Sequence, residues 1–293
     1  MKNILSIDGG GMKGYIPCSV LVELEKRTGK ACFDMFDMFA GTSIGGILAC
    51  LLASGKSATE ALEFFTVDGP TIFGHERIFG HDGIFEARYG SNKIEDCLKA
   101  RLGNTRLSDL KKFLLVPAFD LVSYDPYFFK SPVMDDDYAL WQVSRATSAA
   151  QTYFPAFILD NKQLWDGGNV ANNPAACAAA EAIRDWPGES LNIFSVGCGQ
   201  AQSKFSADKL VDSGLLHTGL ETLSLLFDAN DDLPDYILKR LMTKGGYVRI
   251  SPRLDQPLPI DGASDDDIAN LKAAAAKCVA DSSDLIDAFI ATL

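Results

Sequence analysis

Between residues 36 and 53 the chain reads Phe36-Asp37-Met38-Phe39-Ala40, then Gly41-Thr42-Ser43-Ile44-Gly45, then an unbroken apolar stretch to Ala53. No other feature restricts the fold as much. Phe36 to Ala40 has the look of a short buried strand closed by glycine. Ile44 to Ala53 is apolar all round, which suits a helix buried in the middle of a domain. The serine between them matches G-x-S-x-G, a sharp strand-to-helix turn whose small flanking residues let the side chain project from the tip. A helix N-terminus beneath Ser43 adds free backbone N–H groups and a positive dipole end. The pattern alone is common and can mark a tight turn without chemistry; its place between strand and helix favours a nucleophile.

The same alternation recurs along the chain. Ile4 to Ile7 is strand-like and ends in glycines, and a helical pattern follows with Ile16, Val20, Leu21 and Leu24 on one face. Phe113 to Val122 and Leu191 to Val196 are further buried strands, and Pro174 to Ile183 is an alanine-rich helix with proline in its first turn. Such alternation predicts an α/β fold with a mainly parallel sheet covered on both faces. From about Ser203 the pattern turns helical, apart from Tyr247 to Ile250. No repeat or linker breaks the chain, so residues 1–293 are expected to form one domain, with a motif-bearing core over about 3–200 and a helical elaboration over about 203–293.

Gly9-Gly10-Gly11-Met12-Lys13-Gly14 satisfies G-x-G-x-x-G between a strand and a helix, the dinucleotide-binding fingerprint. The acidic residue that fingerprint needs about twenty positions on is not convincing, because Glu23 and Glu25 lie within the first helix. The other reading is a loop whose bare amides face a developing oxyanion, where losing one donor costs about 10²–10³ in turnover. Together with the serine elbow, the second reading is preferred. A serine also needs a base. His75, His81 and His217 lie in loop or tail contexts and are expected to be surface histidines. Asp166 is better placed, since Leu164-Trp165-Asp166-Gly167-Gly168 resembles a strand end breaking into a glycine turn. A free aspartate, with a pKa of about 3.9, is a poor base for a hydroxyl. Direct transfer within a Ser–Asp pair in a water-poor site still works where the oxyanion is strongly stabilised.

Composition narrows the partners. There are 27 Lys and Arg against 39 Asp and Glu, a formal charge of −12, so the basic footprint of a DNA or RNA binder is missing. Asp135-Asp136-Asp137 and Asp265-Asp266-Asp267 are expected to be solvated turns or helix starts and not metal sites. Seven cysteines form no C-x-x-C pair and several sit in apolar runs, as reduced, buried residues of a cytoplasmic protein do. The amino terminus lacks the pattern of a signal peptide, and Ile44 to Ala53 is half the length of a membrane span. Two aromatic groups stand out as candidates for an apolar lid or acyl channel in transient contact with a membrane surface. One is Phe64, Phe65, Phe73, Phe79, Phe85 and Tyr89; the other is Tyr124, Tyr127, Phe128 and Phe129. Ordinary core packing is the competing explanation for both.

Four motifs in order then carry a resemblance. They are Asp8 to Gly14, Phe36 to Gly46, Ala146-Thr147-Ser148-Ala149-Ala150-Gln151-Thr152-Tyr153-Phe154-Pro155, and Asp166-Gly167-Gly168. Across residues 3 to 200 the chain resembles a patatin-like phospholipase. The resemblance implies a three-layer α/β/α sandwich and a serine acyl hydrolase of the phospholipase A or lysophospholipase type. It assigns Ser43 as nucleophile, Asp166 as proton acceptor and the Gly9, Gly10 and Gly11 amides as oxyanion hole. Asp8, Lys13, Gly14, Gly41, Gly45, Gly167 and Gly168 support the motifs, and neither cofactor nor metal is implied. Lys13 stands where many members carry arginine. The last ninety or so residues match nothing assignable. The architecture also resembles phospholipase effectors of antiphage signalling, which a cyclic oligonucleotide switches on to degrade the cell's own membrane. No nucleotide motif accompanies that resemblance. An NAD(P)-binding protein and a catalytically silent lipid-binding relative are the readings from other classes.

Overall fold

The structure, a computed structural model, describes residues 1–74, 87–132, 136–201, 230–242 and 246–293. The main sheet contains β1 (Lys2–Ile7), β2 (Met38–Gly41), β3 (Phe113–Asp120), β4 (Asp125–Ser131), β5 (Phe157–Leu159), β6 (Lys162–Asp166), β7 (Leu191–Val196) and β9 (Tyr247–Ile250). The two-residue strands β8 (Gln200–Ala201) and β10 (Arg253–Leu254) pair apart from it. The sheet order is β5-β6-β3-β2-β1-β7-β9, with β4 also on β3. Strands β3, β2, β1, β7 and β9 are parallel neighbours, whereas β4, β6 and β5 join antiparallel.

Helices cover both faces. The first face carries α1 (Tyr15–Thr28), α3 (Ile44–Ala53), α4 (Ala58–Glu63), α5 (Gly69–Phe73), α6 (Ser91–Leu102) and α7 (Leu140–Thr147), with the single-turn α2 (Cys32–Met35) leading into β2. Its core includes Leu5, Ile7, Phe39, Val116 and Phe194 from the sheet. On the other face Ile4, Met38, Ala40, Leu115 and Ile193 meet α9 (Ala175–Asp185) and Leu238 of α10, described over 230–241. The turn α8 (Gly168–Ala171) leads toward α9. Ala175, Ala178, Ala179 and Ala182 give α9 a thin stripe, so its backbone can lie close on the sheet. The result is the expected three-layer sandwich.

The carboxyl-terminal part is more than a helical elaboration. Strand β9 extends the parallel sheet beside β7, and α11 (Asp265–Asp281) and α12 (Ser283–Ile290) pack on the α1 face. Phe289 of α12 stacks on Phe36 and Phe194 at centroid distances of 5.7 and 4.5 Å. Asp265, Asp266 and Asp267 form the first turn of α11, and Asp267 closes a capping box with Ser264. All seven cysteines are unpaired; Cys97 and Cys177 are half-buried and the others buried.

One topological detail builds the site. β4 takes up one edge of β3 from Leu114 to Asp120. β2, along Phe113–Leu115, and β6, along Ala118–Asp120, must therefore share the other edge. They run in opposite directions. The carboxyl ends of β2 and β6, Gly41 and Asp166, consequently converge on each other.

Candidate active site

The elbow begins where β2 ends. Ser43 has φ 54° and ψ −123°, a conformation that costs about 1–3 kcal/mol and persists only where surroundings enforce it. The enforcement is steric and polar. A Cβ at Gly41 would collide with the Gly45 carbonyl oxygen, and one at Gly45 with the Ile7 carbonyl oxygen. Glycine at both places lets α3, every residue of which is buried, start hard against β1 and β2. Thr147, at the end of α7, supplies the polar part. Its hydroxyl donates to the Pro117 carbonyl at 2.7 Å and accepts the Ser43 N–H at 3.0 Å, so one side chain ties the elbow to β3.

Ser43 Oγ donates to Asp166 Oδ2 at 2.7 Å. The other carboxylate oxygen accepts the Gly168 N–H at 2.7 Å, while the Asp166 N–H donates to the Ala149 carbonyl at 3.1 Å. Asp166 is 2 % exposed. Burial raises its carboxyl to about 6, against the pull of the Gly168 and Ser43 hydrogen bonds and the charge of Arg145. A Cβ at Gly167 would strike the Pro117 carbonyl oxygen, which accounts for glycine after the aspartate.

The amino-terminal glycine loop lines the same cleft. Its three amides are not equivalent. The Gly9 N–H already donates to the Asn172 carbonyl at 3.1 Å, so the expectation that all three amides face the reaction needs correcting for Gly9. The Gly10 and Gly11 amides have no partner among the described residues. Gly11 has φ 58°, and the Ile260 carbonyl oxygen occupies the place of its missing side chain. Lys13 donates to the Gly199 carbonyl at 3.4 Å, and Gly14 lies against Ile44. Asp8 is fully buried and holds Arg249 of β9 through both carboxylate oxygens.

The rest of the cleft is largely apolar, walled by Ile44, Ile47, Phe64, Phe73, Ile94 and Phe154. Of the first aromatic group, Phe64 and Phe73 thus line it, Phe65 packs in the core against Tyr15, and the buried Tyr89 donates to Asp261 at 2.8 Å. The second group does something else. Tyr127, Phe128 and Phe129 belong to β4 and line a different groove, while Tyr124 stands exposed at the β3–β4 turn. Phe79, Phe85, His75, His81 and His217 lie outside the described residues. Among the described residues no group of three or more His, Cys, Asp or Glu side chains could hold a metal ion, and no helix is long and apolar enough to cross a membrane.

Thr147, Asn172 and Arg249 are the site residues that sequence reasoning missed. Thr147 sat within a noted motif without a role. Asn172 and Arg249 carry no local signal, because their partners are 163 and 241 positions away.

Comparison with known proteins identifies the family. The chain is 31% identical to the cGAMP-activated phospholipases of Vibrio cholerae and Escherichia coli, covering 92% of this chain and 86% of each of those. It is 29% identical to patatin-like protein 2 of Arabidopsis thaliana, over 91% of this chain and 78% of that one. The profile of the patatin-like phospholipases matches residues 5–179, spanning the glycine loop, the elbow and Asp166. The chain therefore belongs to the patatin-like phospholipase family and is a lipid acyl hydrolase.

Proposed function

We propose that the chain cleaves fatty-acyl esters of membrane phospholipids with Ser43 as nucleophile, Asp166 as the group that takes its proton, and Gly10 and Gly11 as oxyanion donors. The observation that carries this is the 2.7 Å Ser43–Asp166 hydrogen bond beside an apolar cleft. Ser43 Oγ attacks the ester carbonyl carbon as its proton passes to Asp166 Oδ2. The carbonyl oxygen, now an anion, accepts from the Gly10 and Gly11 amides. Collapse expels the alcohol, which takes the proton from Asp166. Water then attacks the acyl-enzyme, Asp166 again takes a proton, and the fatty acid leaves with Ser43 restored.

A buried carboxyl near 6 suits the task, because a base works best with a pKa close to the working pH. The apolar wall accommodates an acyl chain better than a charged substrate. Ser43→Ala and Asp166→Asn are expected to abolish release of fatty acid from phospholipid vesicles with circular dichroism unchanged. Undiminished hydrolysis by pure Ser43→Ala would sink the assignment, and so would failure of a fluorophosphonate to label Ser43 in a preparation that hydrolyses the vesicles.

A second reading concerns control. The bacterial relatives named as cGAMP-activated support an enzyme that stays silent until a cyclic oligonucleotide binds, acting as a membrane-degrading antiphage effector. The expected result is vesicle hydrolysis that rises when cyclic di- and trinucleotides are added. Full activity without any of them removes this reading and leaves the chemistry standing.

A further inference from the structure

We propose that Arg249 is a positioning residue for the oxyanion loop, so that a strand beyond the family-matched span sets the donors on which acyl transfer depends. The proposal rests on the Ser43–Asp166 reading above.

Asp8 follows the last residue of β1 and directly precedes the glycines. It is fully buried, and Arg249, 9 % exposed, reaches it with Nη1 to Oδ1 at 2.8 Å and Nη2 to Oδ2 at 2.5 Å. The path is built for that reach. Ser6, Ser195 and Arg249 lie side by side across β1, β7 and β9, and both serines are buried. Two small residues leave room for a long side chain to cross two strands, and Ser195 Oγ accepts Nη1 on the way at 2.9 Å. Burial works against the guanidinium's charge, but the Asp8 carboxylate outweighs it and holds the group protonated. A fork-on-fork pair fixes the carboxylate's rotation as well as its place, which a lysine's point charge does not do.

Surrounding contacts leave the pair little slack. A Cβ at Gly197 would lie 3.0 Å from both Arg249 Nη2 and Asp8 Oδ2. The Asp8 N–H donates to the Val196 carbonyl at 3.1 Å. Past Asp8 the loop is pinned by the Gly9 N–H on Asn172 O, and at its far end by the Met12 N–H on the Ile260 carbonyl at 2.8 Å. Asn172 is itself held by Asp231 Oδ1 at 2.7 Å. Among the described residues the Gly10 and Gly11 amides are left over, and their direction follows from the clamps on either side. A buried ion pair is a weak source of net stability. Its rigid geometry at the root of a donor loop is what the fold gains here.

The test compares Arg249→Lys, Arg249→Met and Asp8→Asn with the parent enzyme on a soluble ester. It also measures affinity for a trifluoromethyl ketone, whose hemiketal oxyanion needs the donors, and for a non-hydrolysable ether lipid, which does not. Displacing reacting groups by about 1 Å costs on the order of 10²-fold. The folded variants are accordingly expected to lose about ten- to a hundredfold in kcat and in ketone affinity together, Asp8→Asn the least. KM and ether-lipid affinity should stay within about twofold of the parent. If kcat and ketone affinity are unchanged in folded Arg249→Lys or Asp8→Asn, the proposal is wrong. It is equally wrong if ketone and ether affinities fall in step with the unfolded fraction. A parent enzyme that the ketone does not inhibit, together with an active Ser43→Ala, would instead overturn the Ser43 reading.

Discussion

Asp166 is nearly sealed from solvent and keeps the carboxyl near 6 because burial outweighs its hydrogen bonds. As the proposed base it must be ionised to accept the serine proton, so kcat/KM should fall as pH drops through about 6; a pH–rate profile on a soluble ester checks this. The same shift bears on stability with a defined sign. The folded value lies above the ordinary 3.8, so the stability associated with the protonated carboxyl is present below pH 3.8 and is lost as pH rises through about 6. At about 1.4 kcal/mol per pH unit, the loss is on the order of 3 kcal/mol. Asp166→Asn removes that dependence. The variant should melt several degrees above the parent at pH 8, with the gap closing toward pH 4, as thermal scans across that range would record. Ser43 and Asp166 are both legible in the sequence, because each adjoins glycines that only close backbone approaches explain.

Single elements transmit these residue-level demands. The end of α7 reaches β3 and the elbow at once through Thr147. Thr147→Val keeps the shape and leaves the Ser43 N–H and the Pro117 carbonyl unpaired. A loss of about 1–3 kcal/mol in urea unfolding and at least about tenfold in kcat is expected, with Thr147→Ser retaining both. Strands β1, β2, β3 and β7 are plain from their apolar runs, and α3 from its lack of any polar face. Strand β4 is not. Pro126 beside Tyr124 and Tyr127 suggests a loop, yet β4 pairs with β3 from Asp125 to Ser131. It lies on one edge of β3 and pairs with no other described strand, so proline is tolerated there. Its aromatics cover sheet rather than line the cleft. Phe36 is similar in kind: it caps the short α2, and the strand begins at Met38.

Across the whole molecule, the matched family region is incomplete as a folding unit. Residues 5–179 lack β7 and β9, the Phe289 stack and Arg249. Truncation after residue 201 exposes Phe36 and Phe194 and leaves Asp8 buried without its cation. The expected product shows no cooperative melt and no labelling of Ser43 by fluorophosphonate; labelling at the full-length rate would contradict it. The carboxyl-terminal third was the least legible part. Its contribution lies in contacts with partners hundreds of positions earlier, and no local periodicity encodes those.

The separation of 241 positions between Asp8 and Arg249 also has a consequence for biosynthesis. A ribosome releases the glycine loop and Ser43 long before Arg249. Until Arg249 emerges, the proposed nucleophile therefore travels on a chain whose glycine loop lacks its clamp. If the proposed attack on cellular phospholipid holds, the fold gives the cell that makes the enzyme a built-in delay, because hydrolytic competence must wait for β9.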